Sequence, residues 1–144
     1  MIIVCEGEKI EPIYFKHFKS RNKLISIKIV KSAAGKDYDA LIRKAVEEKA
    51  NIESSCTVWC VSDVDVDHNT PDNQFVRNTQ LKKYYEDAKR NGFEIALSNP
   101  CFEVWFLLHF ICSTGQMKNY YEVRKKLVEY LLDYHKNSNV YGQL

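Results

Sequence analysis

Glycine and proline are scarce, five and three in 144 residues, which excludes collagen-like and low-complexity chains. No apolar stretch reaches the ~20 residues a membrane-crossing helix needs. The N-terminus lacks the basic, apolar and small-residue order of a secretion signal, so the cytoplasm is the expected compartment and no membrane partner is expected. Five cysteines (Cys5, Cys56, Cys60, Cys101, Cys112) show no disulfide rhythm. Cys56 and Cys60 sit roughly 13 Å apart if both lie in one strand, too far for one zinc ion. Reduced core thiols are the expected state. A net charge of only +2 demands no polyanionic partner. The clusters Lys16, Lys19, Arg21, Lys23 and Arg124, Lys125, Lys126 read as solvated helix faces that permit one.

What is present is an alternation. Ile2 to Cys5 is a short apolar run closed by Gly7, read as a buried strand. Pro12 suits the first turn of a helix carrying Tyr14, Phe15 and Phe18. Ser26 to Val30 is a second strand. Asp37 is an N-cap, followed by Tyr38, Leu41, Ile42, Ala45 and Val46 on one helical face. Cys56 to Val61 is a third strand, apolar enough to be covered on both faces. After the polar loop HNTPDN, a helix runs from about Gln74 to Arg90 and ends at Gly92. Phe93 to Leu97 is a fourth strand, and CFEVWFLLHF reads as a buried helix with Trp105, Phe106, Leu107, Leu108 and His109 in the core. Tyr120, Arg124, Leu127, Val128, Leu131, Leu132 and His135 mark an amphipathic C-terminal helix.

This β-α order predicts one α/β domain over residues 1–144, a three-layer Rossmann-like parallel sheet with helices on both faces. In the common strand order 2-1-3-4, the order reverses between strands one and three, and sites form there, at the carboxyl ends of the strands. Two acidic stretches fall at that edge: CEGE, with Glu6, and VSDVDVDH, with Asp63, Asp65 and Asp67. Like charges near 4 Å cost about 4 kcal/mol per pair at an effective dielectric of ~20. A retained proton or a divalent cation relieves that cost. Carboxylate oxygens with few imidazoles nearby favour Mg²⁺ or Mn²⁺ over zinc. A solvated strand terminus beside an acidic turn is the plainer alternative.

Three blocks, IIVCEGEKIEPIYF, VWCVSDVDVD and ALSNPCFEVWFLLHF, resemble the signature blocks of the RloB-like proteins. These are bacterial proteins placed with the Toprim fold and associated with phage defence. The blocks span residues 2 to 110, about three-quarters of the chain. The resemblance implies a Toprim-like pairing of a glutamate after strand one, here Glu6, with a D-x-D after strand three, here Asp63 and Asp65. Asp67 stands on the rim as a further metal oxygen. It implies Mg²⁺-dependent phosphodiester chemistry on nucleic acid, most simply a nuclease. Ile10 stands where the family commonly has threonine, which removes a hydroxyl but no carboxylate. Relatives run longer at both ends, so the resemblance also implies missing terminal segments.

Glu103, in the third block, is read either as a further metal ligand or orienting group, or as a first-turn acid facing its helix dipole. Asn99 is a possible hydrogen-bond donor near the site. Glu8 and Glu11 favour the start of the first helix. Lys9 holds a phosphate or is merely solvated. Three other functions compete. A receiver-like phospho-acceptor module would use Ser98 but needs a fifth strand with a terminal lysine. A haloacid-dehalogenase-type phosphatase would place its D-x-D after the first core strand, not the third. A non-catalytic Toprim-like scaffold or sensor would work with an ATPase partner. Oligomeric state, DNA or RNA preference and the number of metal ions stay open.

Overall fold

The computed structural model describes residues 1–21, 28–31, 37–52, 56–64, 71–112, 115–135, 140 and 143–144, without the side chains of 18–21 and 71–77. Asp65 and Asp67 lie outside the described residues, as does the expected start of the second strand at Ser26.

β1 (Ile2–Cys5), β2 (Lys28–Lys31), β3 (Val58–Asp63) and β4 (Glu94–Ser98) form one parallel sheet in the order β2-β1-β3-β4. This is the expected 2-1-3-4 arrangement. Connections between parallel strands must return along the sheet, and helices fill them: α1 (Ile10–Arg21), α2 (Tyr38–Ala50) and α3 (Pro71–Asn91). Two shorter helices follow β4, α4 (Glu103–Leu107) and α5 (Tyr120–Leu127).

Strand alternation divides the core into two layers. Ile2, Val4, Val58 and Cys60 pack against Tyr38, Leu41, Ile42 and Ala45 of α2 and Tyr84 and Ala88 of α3. Ile3, Cys5 and Val61 face the other way, onto Tyr14 of α1, Phe106 and Leu107 of α4, and Leu127 of α5. β1 is buried at every position, which explains why its sequence is continuously apolar rather than alternating.

Asp37 caps α2 as expected, its side chain accepting the Asp39 N–H. α3 ends on Gly92 at φ 67°. There Gly92 N–H reaches Lys89 O at 3.1 Å and Phe93 N–H reaches Ala88 O at 2.9 Å, the paired bonds of a Schellman ending.

Several boundaries and burial assignments differ from the sequence reading. α3 begins at Pro71, inside the expected loop, because proline suits a first helical turn. β3 starts and ends two residues later than expected, so Asp63 is its last residue. The pairing of Asp63 with Ser98 on β4 extends the ladder that far. α4 has only five residues. It buries Phe106 and Leu107 but leaves Trp105 40% and Leu108 48% exposed, and His109 is exposed too, its Nε2 3.0 Å from the Tyr14 hydroxyl. Val46 and Leu132 also face solvent. α5 closes at Leu127, and Val123, Leu127, Leu131 and Tyr134 carry the buried stripe.

Candidate functional site

β1 and β3 pair through Cys5 and Val61, and the Glu6 N–H continues that ladder by donating to Val61 O at 2.9 Å. Glu6 is therefore held where the strand order reverses. Its side chain turns toward β3, and Oε2 accepts the Asp63 backbone N–H at 3.0 Å. The geometry thus brings together the acids of the two separate sequence stretches.

Asp63 is held from its other side as well. The Tyr38 hydroxyl, on the first residue of α2, donates to the Asp63 carbonyl at 2.9 Å. The Tyr38 ring stacks on Tyr84 of α3, with centroids 4.7 Å apart and planes 14° apart. Tyr84 in turn accepts the Ser62 hydroxyl at 3.4 Å. Burial, with smaller contributions from Cys60 and Glu6, pushes the Tyr84 hydroxyl well above its ordinary pKa, so it stays protonated. Two stacked rings thus form a stiff floor beneath the end of β3. The Asp63 side chain is partly exposed, and its Oδ1 atom is shielded from water.

The turn after β1 is tight for a reason visible in Glu11. That side chain is buried, and its Oε1 accepts the Gly7 N–H at 3.2 Å. A Cβ at position 7 would run into the Glu11 carboxylate, so glycine permits the close approach. Glu11 thus closes the turn that presents Glu6, whereas Glu8 is exposed.

Glu103 opens α4 as its first-turn acid. It is 2% exposed, and its Oε1 accepts the Tyr134 hydroxyl at 3.3 Å. Burial first, then the nearby Glu103 charge, raises the Cys101 thiol, and Asp63 adds to the same effect. Glu103 and Asp63 therefore share one electrostatic neighbourhood around Cys101. Among the described residues, however, no three His, Cys, Asp or Glu side chains gather closely enough to hold a metal ion. Asn99 is exposed. Ser98 is buried, and its Oγ accepts the Trp105 indole N–H at 3.0 Å.

Sequence reasoning missed the parts played by Tyr38 and Glu11. Tyr38 read as helix core, and the only available signal was its place beside the Asp37 cap, at the carboxyl edge of the sheet.

A family model described as RloB-like protein matches residues 1–143. The chain belongs to the RloB-like family. Searches of curated proteins and of solved structures gave no significant match. In this RloB-like chain, the first and second signature blocks meet at Glu6 and Asp63. The third block supplies Phe102, Phe106 and Leu107 to the core beside them. No helix among the described residues is long and apolar enough to cross a membrane.

Proposed function

We propose that this RloB-like chain hydrolyses phosphodiester bonds in nucleic acid with Mg²⁺, or Mn²⁺ in its place, as a nuclease in bacterial phage defence. The observation that carries this reading is the meeting of Glu6 with Asp63 at the strand-order reversal of a parallel sheet.

The donor set suits a hard cation. Mg²⁺ is usually held by one or two carboxylates, with waters and substrate phosphates completing its shell, rather than by an all-protein cage. Glu6 and Asp63 would hold it, and Asp65 and Asp67 would add oxygens from beyond the described residues. When bound, the ion supplies positive charge that polarises a phosphoryl oxygen and acidifies a water molecule.

The chain's own residues do the rest. The Asp63 backbone is held through both its N–H and its carbonyl, so the carboxylate projects from a fixed point on the chain, a start on the preorganisation that efficient catalysis requires. Glu6 serves as general base or acid toward the attacking water, or as a second metal ligand. Glu103, which accepts the Tyr134 hydroxyl, is a further metal ligand or an orienting group behind the site.

The test is incubation with labelled single- and double-stranded DNA and RNA in Mg²⁺, Mn²⁺ or EDTA, comparing wild type with Asp63→Ala. Metal-dependent cutting that disappears in the variant supports the nuclease. Cutting that persists unchanged in Asp63→Ala overturns it.

The competing reading is the non-catalytic scaffold or sensor that works with an ATPase partner. Variants of Glu6 and Asp63 that keep phage protection would support it. The receiver-like alternative loses ground, because the Ser98 hydroxyl is buried and already bonded to Trp105.

A further inference from the structure

The two sides of the Glu6–Asp63 mouth carry charge differently. On the α2 side, Asp37 and Asp39 flank Tyr38, whose hydroxyl reaches Asp63. The cations there are neutralised: Arg43 pairs with Asp37, and Lys83 pairs with Asp39.

On the α1 side Glu8 is exposed, but the lysines there are not tied up in ion pairs among the described residues. Lys31 ends β2 and stands beside Cys5, the residue before Glu6. Side-by-side residues of a parallel sheet share a face. Cys5 and Ile29 both face α1, so Lys31, two residues after Ile29, projects to that side too. Lys28, in the opposite phase, reaches Glu48 of α2 instead. Lys9 stands just ahead of α1, and its carbonyl accepts the Ile13 N–H at 3.0 Å. Lys16 lies seven residues on, two turns along the same helical face and ~10 Å down the axis, with exposed Ile13 between them. Lys9, Lys16 and Lys31 are all exposed, and among the described residues none of them makes an ion pair.

We infer that Lys9, Lys16 and Lys31 form a track that holds the phosphate backbone of a nucleic-acid strand and leads it to Glu6. This rests on the nucleic-acid reading above. A protein of nearly neutral net charge can hold a polyanion only through a local patch. Here unpaired cations border the acidic site on one side, while on the other side the cations are tied up in ion pairs and offer a phosphate no net positive charge. The lysines meet backbone phosphates, so the track gives affinity and direction of approach without reading sequence.

The experiment is fluorescence anisotropy with labelled single-stranded DNA and RNA in EDTA, so that binding is measured without cutting, over about 50 to 200 mM salt. The variants are the triple Lys9→Glu, Lys16→Glu, Lys31→Glu, a milder triple with Gln at the same positions, and a control pair, Arg124→Glu with Lys125→Glu on α5. Thermal melts of all variants should match wild type. The charge-reversed triple should bind about tenfold or more weakly, and its salt slope should fall by about one for each phosphate that is no longer neutralised. The Gln triple should fall between it and wild type, and the α5 pair should bind normally. Wild-type affinity in both lysine triples, or equal weakening in the α5 pair, overturns the track and leaves the nuclease reading standing if metal-dependent cutting is seen. Wild type that neither binds nor cuts any of these nucleic acids defeats the underlying reading and the track with it.

Discussion

The Tyr38 hydroxyl donates to the Asp63 carbonyl across 25 residues of chain, at 2.9 Å. Helix α2 therefore helps to hold the backbone at the end of β3. Tyr38→Phe keeps the stacked ring and removes this bond. It should cost about 1 kcal/mol in urea unfolding and weaken Mn²⁺ binding, measured by calorimetry, several-fold. An unchanged Mn²⁺ affinity alongside lower stability would mean that Tyr38 supports the fold but not the site.

Substitution separates the contact that Glu6 makes from the catalytic role proposed for it. Its Oε2 accepts the Asp63 N–H, which a glutamine amide oxygen also does, but glutamine cannot take a proton from water. Glu6→Gln should therefore melt near wild type while losing metal-dependent cutting. Glu6→Ala should lose cutting and also about 1–3 kcal/mol, since it abandons a part-buried N–H. Cutting retained by Glu6→Gln would remove Glu6 from the role of base.

The thiols differ in reach. Burial raises Cys5, Cys60 and Cys101, pushing Cys60 up to about 12, so their reactive thiolate forms are rare at neutral pH. Cys112 is exposed. A thiol reagent such as Ellman's should modify Cys112 first in the native protein, and Cys5, Cys60 and Cys101 only in denaturant. Mass spectrometry of the early product identifies the site, and early labelling of Cys101 would contradict the packing around Glu103.

Acid should weaken the seam between β2 and α2. The Lys28 ammonium, then Lys44, holds the Glu48 carboxyl below its ordinary value of 4.5. A carboxylate whose folded pKa is depressed stabilises the fold fully above its unfolded pKa, and loses that contribution as pH falls through the folded one. Stability should therefore drop below about pH 4.5, and Lys28→Met should flatten that part of the curve. Carbon-13 titration of the Glu48 carboxyl should give a midpoint below that of an unpaired glutamate, and an ordinary midpoint would deny the pairing.

The layered fold was legible in the residues because its signals are local. Apolar runs such as IIVC, the Asp37 cap and the Gly92 stop each depend on neighbours a few residues away. Once the order of elements is read, the strand order common to such folds, 2-1-3-4, puts Glu6 near β3, and the sheet has that order. The exposed faces of Trp105 and Leu108 were not legible. Hydrophobicity alone does not reveal that α4 stops after five residues.

What the sequence determined by itself was the alternation of strands and helices, the family, and which two acidic stretches border the reversal of strand order. Only tertiary structure decided that β3 reaches Asp63, that Tyr38 clasps its carbonyl, and that Glu103 is committed to Tyr134, 31 residues further on. The reason is distance along the chain: periodicity and capping report forces between neighbours, whereas these partners meet only after separate elements have packed.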